Sequence, residues 1–355
     1  MHMTRLVVLV VGVLTGVLAP DAARAVPSNV FVFGDSLSDT GTLAEALGHN
    51  APNPPSFHDS FTNGPVAVEL LAERFGLRAD PSLWLTGFTD AAHLFPPGSV
   101  PGTNYAVGGA TAAGGTTGLP NQVGAFLNHL GQHAPSDALY VVMIGGNDVR
   151  TAAHAGNSAG VVAGVNSELA MIQLLLSNGA THVLIPNVPN VGAIPEFTQD
   201  SPAGQAATAT AFSLLYDQLL ASGIQALIGQ NPNDSLLSFD LFAFNSAIGA
   251  NASMLGFTNT TDRCYTNAVA VFLNPAVPLQ DTPACGVIDP VRGAANIDHF
   301  LYWDNIHPTA RVQAMWADAF AATVPEPASL LLVGLGLVIL LFTTTPPRAT
   351  KAPRT

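Results

Sequence analysis

Three short apolar runs in the first half of this chain each stop on glycine. Val30–Phe33 runs into Gly34, Asn104–Val107 into Gly108 and Ala138–Ile144 into Gly145. Runs of four to seven residues rich in Val, Phe, Tyr and Ile read as buried strands, and the glycines end them. Two more such runs follow, Thr181–Pro186 and Ser235–Asp240. Between and after them lie segments with helical spacing: Gly64–Phe75, Gln122–Leu130, Ser158–Leu176, Ala206–Ile228 and Thr309–Ala322, the last opened by Pro308. Strands alternating with helices of ten to twenty residues predict an α/β chain with a parallel sheet of about five strands, covered on both faces. In such sheets ligands gather beyond the C-terminal strand ends, so the polar residues after each glycine are the candidates for chemistry. Pro81–Gly102 reads as a long loop, in which the apolar stretch Leu83–Phe95 is a candidate acyl-site wall. Asn245–Asp298 reads as mostly irregular.

Charge narrows the function. The chain carries a net charge of −13, and only 10% of its residues are charged against 48% apolar. Arg5 and Arg24 lie near the start and Arg348, Lys351 and Arg354 near the end, so the middle keeps six arginines and no lysine. A nucleic-acid backbone needs several such cations together, which excludes that partner. The two cysteines, Cys264 and Cys285, are too few for a structural zinc site and no histidine cluster joins them, so no metal and no cofactor is expected. In an exported chain they read as a disulfide, with two free thiols as the alternative.

The ends read as processing segments. Met1–Ala25 has a basic start, an apolar run over Leu6–Leu18 and an Ala23-Arg24-Ala25 cleavage site, the pattern of a signal peptide. Residues 26–323 are left as the folded domain. Residues 324–355 open on Val324-Pro325-Glu326-Pro327, continue through an apolar run over Ala328–Phe342 and end on the basic tip. Fifteen helical residues reach about 22 Å, short of a hydrocarbon core of about 30 Å. Transient membrane contact through 328–342 with the basic tip held inside is the expectation.

Four polar blocks carry the candidate chemistry. Gly34-Asp35-Ser36-Leu37 follows the first strand and places Ser36 where a helix is expected to start; a helix cap is the plain reading of that serine. Asn104-Tyr105-Ala106-Val107-Gly108-Gly109 offers paired glycines where backbone can approach a ligand, or an ordinary tight turn. Gly145-Gly146-Asn147-Asp148 offers an amide donor, Asn147, and a carboxylate, Asp148, read as an acceptor for backbone N–H groups. Asp304-Asn305-Ile306-His307-Pro308-Thr309 places Asp304 and His307 three apart, within reach of one hydrogen bond. Asp298-His299 competes with that pair. Gly156-Asn157-Ser158-Ala159-Gly160 has the form of a nucleophile elbow, but no strand precedes it, so Asn157 or Ser158 reads as a helix cap.

In this order, the four blocks resemble those of the GDSL, or SGNH, hydrolases, and the softer Gly256-Phe257-Thr258-Asn259 segment is similar to the lipase and lecithinase branch. The resemblance runs from about Asn29 to Ala322 and implies a three-layer α/β/α, flavodoxin-like fold. It implies Ser36 as nucleophile, His307 as general base and acid, and Asp304 as its orienting partner. The implied oxyanion hole is made by the Ser36 and Gly109 N–H groups and the Asn147 side chain, with Gly109 taken over Gly108 by counting five residues from Asn104. The implied activity is ester hydrolysis of a lipid or small acyl ester; acyl transfer, carbohydrate O-deacetylation, or a non-catalytic matrix or adhesion role are the alternatives. The tail in turn resembles the PEP-CTERM sorting signal of Gram-negative bacteria. That implies an exosortase-type processing enzyme as partner and delivery to the envelope or exterior.

Overall fold

The four strands of the main sheet are short, five residues each, and all parallel. In a computed structural model of the chain they are β1 (Val30–Gly34), β2 (Leu139–Met143), β3 (His182–Pro186) and β4 (Ser235–Phe239), hydrogen-bonded in that order. The structure describes residues 26–48, 56–82, 84–85, 102–274, 276–286 and 296–325. The second expected strand, Asn104–Val107, is a bonded segment rather than a regular strand. Tyr105 and Val107 donate to the Val32 and Gly34 carbonyls at 2.8 and 3.2 Å, on the edge of β1 away from β2. With it, the spatial order of the five segments in chain order is 2-1-3-4-5, the flavodoxin-like arrangement.

The helices α1 (Thr42–Ala46), α2 (Ala67–Arg74), α3 (Leu119–His129), α4 (Gly146–Ala155), α5 (Ala159–Ser177), α6 (Gln205–Gln230) and α7 (Leu241–Ala250) separate and follow these strands. Strand side chains alternate between two faces. Phe31, Phe33, Tyr140 and Val142 enter one apolar cluster with residues of α3, α4, α5 and α6. Val30, Val32, Leu139 and Val141 enter the other, with α2, α7 and the last helix. The result is three layers around one sheet. The long apolar helices α5 and α6 line the first layer, burying Val161, Val165, Ile172, Tyr216 and Ile224.

After α7 the chain forms β5 (Asn259–Arg263), α8 (Ala268–Leu273), β6 (Phe300–Tyr302) and α9 (Ala310–Thr323). So the region read as mostly irregular, Asn245–Asp298, holds β5, α8 and the second half of α7, a helix whose start is fixed by the Asp240 carboxylate accepting the Ala243 N–H at 2.9 Å. The helix at the end begins one residue later than expected. Thr309 is its N-cap position and Pro308 precedes it, while Asn63 Oδ1 accepts the free Ala310 N–H at 2.8 Å. A disulfide joins Cys264 and Cys285, both fully buried. It anchors a small cluster in which Tyr265 meets Trp303 edge-on, ring centroids 4.6 Å apart. Pro27–Val324 form one unit. The segments 1–25 and 328–342 lie outside the described residues, as does most of Leu83–Phe95; of that loop Trp84 packs on the core and donates to the Tyr105 carbonyl at 3.0 Å.

Candidate active site

β1 delivers Gly34 to the sheet's C-terminal edge, where it has to be glycine. A Cβ there would stand 2.5 Å from the Met143 carbonyl oxygen of β2. Gln122, fully buried on α3, grips both sides of this residue. Its Oε1 accepts the Gly34 N–H at 2.9 Å and its Nε2 donates to the Gly34 carbonyl at 2.8 Å. Ser36 follows two residues later, in a turn and not at the helix start expected from the sequence. The helix waits until Thr42 because the Asp39 carboxylate gathers the Gly41, Thr42 and Leu43 N–H groups at 2.8, 2.7 and 3.2 Å and so places the helix start there. Asp39 also accepts the Gly108 N–H at 2.7 Å, tying the first block to the second. Burial pushes the Asp39 carboxyl up to about 6 against the pull of these four donors. Asn104 locks the same turn, donating to the Ser38 carbonyl at 2.6 Å and accepting from the Ala106 N–H at 2.9 Å.

The Gly108 N–H is therefore spent on Asp39. Gly109, next in line, sits at φ +78°, a left-handed conformation that glycine adopts freely. Neither its N–H nor that of Ser36 has an acceptor among the described residues.

From β6 the chain enters a closed loop. Trp303 N–H donates to the His307 carbonyl at 2.8 Å, and Thr309 N–H to the Leu301 carbonyl at 2.9 Å. Inside it Asp304 Oδ1 accepts the Ile306 and His307 N–H groups, both at 2.7 Å, and Asp304 Oδ2 meets His307 Nδ1 at 2.8 Å. His307 Nε2 lies 2.7 Å from Ser36 Oγ. Nδ1–H donating to the carboxylate leaves Nε2 as the acceptor for the serine hydroxyl. All three side chains are buried, Ser36 the least at 8% exposure. Phe61 covers the imidazole, ring centroids 5.2 Å apart, and Phe272 of α8 covers Phe61. Beside Ser36, burial pushes the Asp35 carboxyl up to about 6, opposed by the Leu37 N–H and by His307.

β2 delivers the third block. Asn147 lies in the first turn of α4, its Nδ2 donating to the Ala110 carbonyl at 2.9 Å. Asp148 accepts the Ala112 and Ala113 N–H groups at 2.8 and 2.9 Å, bracing the loop that carries the paired glycines. Ser36 and Asn147 line one cavity of about 440 Å³, walled mainly by apolar groups including Leu37, Val191, Ile194, Leu301 and Ile306. The other candidates are placed elsewhere. His299 Nδ1 bonds the Gly256 carbonyl at 2.8 Å, and Ser158 stands at the N-cap of α5, where Asn157 Oδ1 accepts the Ala159 N–H at 3.0 Å. Among the described residues no cluster of His, Cys, Asp or Glu has the makeup of a metal site.

Three residues bonded to segments of the site are not singled out by the sequence: Gln122, Asp39 and Arg150, whose Nη1 donates to Asn147 Oδ1 at 3.0 Å and whose Nε donates to Glu196 at 2.7 Å. Asp39 stands close to the helix it starts and was findable as a cap; Gly34, which Gln122 grips, lies 88 residues from it, and Glu196, the ion-pair partner of Arg150, 46.

A hydroxyl, an imidazole and a carboxylate bonded in line at the C-terminal edge of a parallel sheet are the parts of a serine hydrolase. The chain belongs to the GDSL-like lipase/acylhydrolase family, whose model matches residues 30–320. It is similar to a phosphatidylcholine-sterol acyltransferase of Aeromonas hydrophila, 24% identical over 85% of this chain and 91% of that protein. It is also similar to the thermolabile hemolysin of Vibrio parahaemolyticus, 25% identical over 79% of this chain and 60% of that one. Lipase 1 of Photorhabdus luminescens is 30% identical over 48% of this chain, which spans only 24% of that longer protein.

Proposed function

We propose that this chain is an exported carboxylic ester hydrolase working through an acyl-serine. The 2.7 Å contact between His307 Nε2 and Ser36 Oγ, backed by Asp304 and opening on an apolar cavity, carries the reading. Ser36 Oγ attacks the ester carbonyl while His307 takes its proton. The carbonyl oxygen becomes an oxyanion held by the Ser36 and Gly109 N–H groups and the Asn147 amide. Collapse of that intermediate expels the alcohol, which receives the proton from His307. Water, deprotonated by His307, then attacks the acyl-serine and releases the acid, restoring the Ser36 hydroxyl. Asp304 holds the imidazole tautomer and stabilises the imidazolium. The cavity is of a size to hold an acyl chain or small lipid portion.

A second reading is transfer of the acyl group to an alcohol in place of water. It is favoured by the likeness to an acyltransferase over most of both chains. The order of segments supports export. Residues 1–25 would be removed as a signal peptide, and 324–355 would serve as the sorting signal read by an exosortase-type enzyme, leaving the enzyme at the envelope or outside.

A fluorophosphonate probe and a p-nitrophenyl ester test the enzyme reading together. The wild type is labelled and active, Ser36→Ala is neither, and Ser158→Ala is both. Adding a long-chain alcohol to the assay separates hydrolysis from transfer by the ester product. Labelling at Ser158, or activity surviving in Ser36→Ala, would overturn the assignment.

A further inference from the structure

Arg150 has no part in the steps above, yet it lies one turn beyond Asn147 on α4, where side chains three apart are neighbours. Its Nη1 donates to Asn147 Oδ1 at 3.0 Å. Its Nε and Nη2 donate to the two oxygens of Glu196 at 2.7 and 3.0 Å, a two-pronged pair. The Glu196 backbone N–H in turn donates to the Asn305 carbonyl at 2.9 Å, inside the loop between Asp304 and His307. One bonded line thus runs from Asn147 through Arg150 and Glu196 to the loop that carries the imidazole. His154, one turn further along α4, adds its Nε2 to Glu196 at 3.0 Å and stacks on Phe197.

The pair is shielded, with side chains only 27% and 14% exposed, so its geometry counts for more than that of a surface ion pair. Burial alone would raise the Glu196 carboxyl, but the bonds and charge of Arg150 and the His154 contact outweigh it and hold it below its usual range. Glu196 is therefore an anion, and the guanidinium is fixed in place.

The consequence falls on the Asn147 amide. Turned over, it would aim its NH₂ at the guanidinium and its oxygen at the Ala110 carbonyl, donor to donor and acceptor to acceptor. Arg150 forbids that state. In the allowed state one Nδ2 hydrogen is held by Ala110 and the other is left for a ligand. A cation on the amide oxygen also polarises the group and strengthens its N–H as a donor.

We infer that Arg150 and Glu196 are positioning residues that lock the Asn147 amide with a hydrogen toward the substrate oxyanion. This rests on the reading of Asn147 as an oxyanion donor.

The test is a double-mutant cycle on the full-length enzyme with a p-nitrophenyl ester, recording kcat and KM separately for Arg150→Met, Arg150→Lys, Glu196→Gln, Asn147→Ala and the Arg150→Met/Asn147→Ala pair. Arg150→Met is expected to lower kcat roughly 10–100-fold, less than the 10²–10³-fold of a lost oxyanion donor, with KM within about twofold. Arg150→Lys restores only part of the loss, because an ammonium cannot bridge Asn147 and both Glu196 oxygens. The paired variant is no slower than Asn147→Ala alone, since the strut acts only through that amide. Losses that multiply, or a raised KM at unchanged kcat, would overturn the inference and make Arg150 a structural or substrate-binding residue. If Arg150→Met does not fold, Glu196→Gln combined with Asn147→Ala closes the same cycle: non-multiplying losses support the strut and multiplying losses overturn it. A wild-type rate for Asn147→Ala would sink the oxyanion role and the strut with it, while activity in Ser36→Ala would sink the hydrolase reading itself.

Discussion

Replacing Gln122 with Leu tests how the nucleophile's strand end is held. Gln122 is fully buried and makes three bonds from its side chain: to the Gly34 N–H, the Gly34 carbonyl and the Thr117 carbonyl. Leu nearly fills the space but satisfies none of them. The Gly34 carbonyl keeps the Val107 N–H at 3.2 Å, so it is not orphaned. The Gly34 N–H loses its acceptor, at about 1–3 kcal/mol for a buried unsatisfied group, and the two lost carbonyl bonds add about 0.5–1.5 kcal/mol each. The expected loss is about 2–6 kcal/mol. For roughly 300 residues, unfolding entropy of about 2.1 cal/mol/K per residue converts this to a melting midpoint lower by about 3–10 °C. Because Ser36 is two residues on, turnover measured well below the new midpoint should fall as well, with KM little changed. Calorimetry and a p-nitrophenyl ester assay on the same preparation give both numbers. A midpoint within about 1 °C of wild type would refute the premise that Gln122 is what satisfies Gly34.

Stability should also depend on pH through the buried carboxyls. Asp35 and Asp39 are pushed up to about 6 and Glu168 and Asp217 to about 8, all chiefly by burial. Their protons are held more tightly folded than unfolded, so this stability is complete below about pH 4 and is lost as pH climbs through 6 and then 8. The melting midpoint should fall between about pH 5 and 8, and Glu168→Gln should flatten the upper part of that fall. Removing the disulfide by Cys264→Ala/Cys285→Ala frees a loop with a sequence separation of 21, worth about 3 kcal/mol by loop entropy, readable as a lower denaturation midpoint. His307→Ala should lower kcat by several orders of magnitude and His299→Ala by far less; equal losses would contradict the geometry.

What the sequence disclosed and what it hid divide along chain distance. Strands β1 to β4 were legible because apolar runs ending in glycine or polar residues are local signals, and Asn157 as a cap lies next to the helix it caps. The segment at 104–107 was legible as extended chain, but its place beside β1 depends on long-range bonds that no local pattern encodes. The start of α1 falls six residues beyond Ser36, since Ser36 and Asp39 are both cap-type residues and only the fold shows which carboxylate collects the N–H groups. α7 is hidden among Asn, Ser and Gly residues although Asp240 marks its start. At the site, Ser36, Asp304 and His307 could be named from their blocks. Gln122, which holds the strand end before Ser36, and Arg150, which pairs with Glu196, bond to partners that adjoin them only after folding.

The grip on Ser36 and the wall of its cavity come from different parts of the chain. Asp39, Asn104 and Gln122 fasten the strand ends on the β1 side, whereas Val191, Ile194, Ser246 and Thr261 line the cavity from segments after β3 and β4. None of the second set's side chains takes part in the bonds of the first. On the proposed reading, a library randomised at the exposed Ser246 and Thr261, with Val191 and Ile194 kept apolar because they are also buried core, explores new ester preferences while the bonds around Ser36 stay as they are. For natural descent this separation means that the lining of the cavity can drift while the residues that hold Ser36 stay under their own, separate constraint.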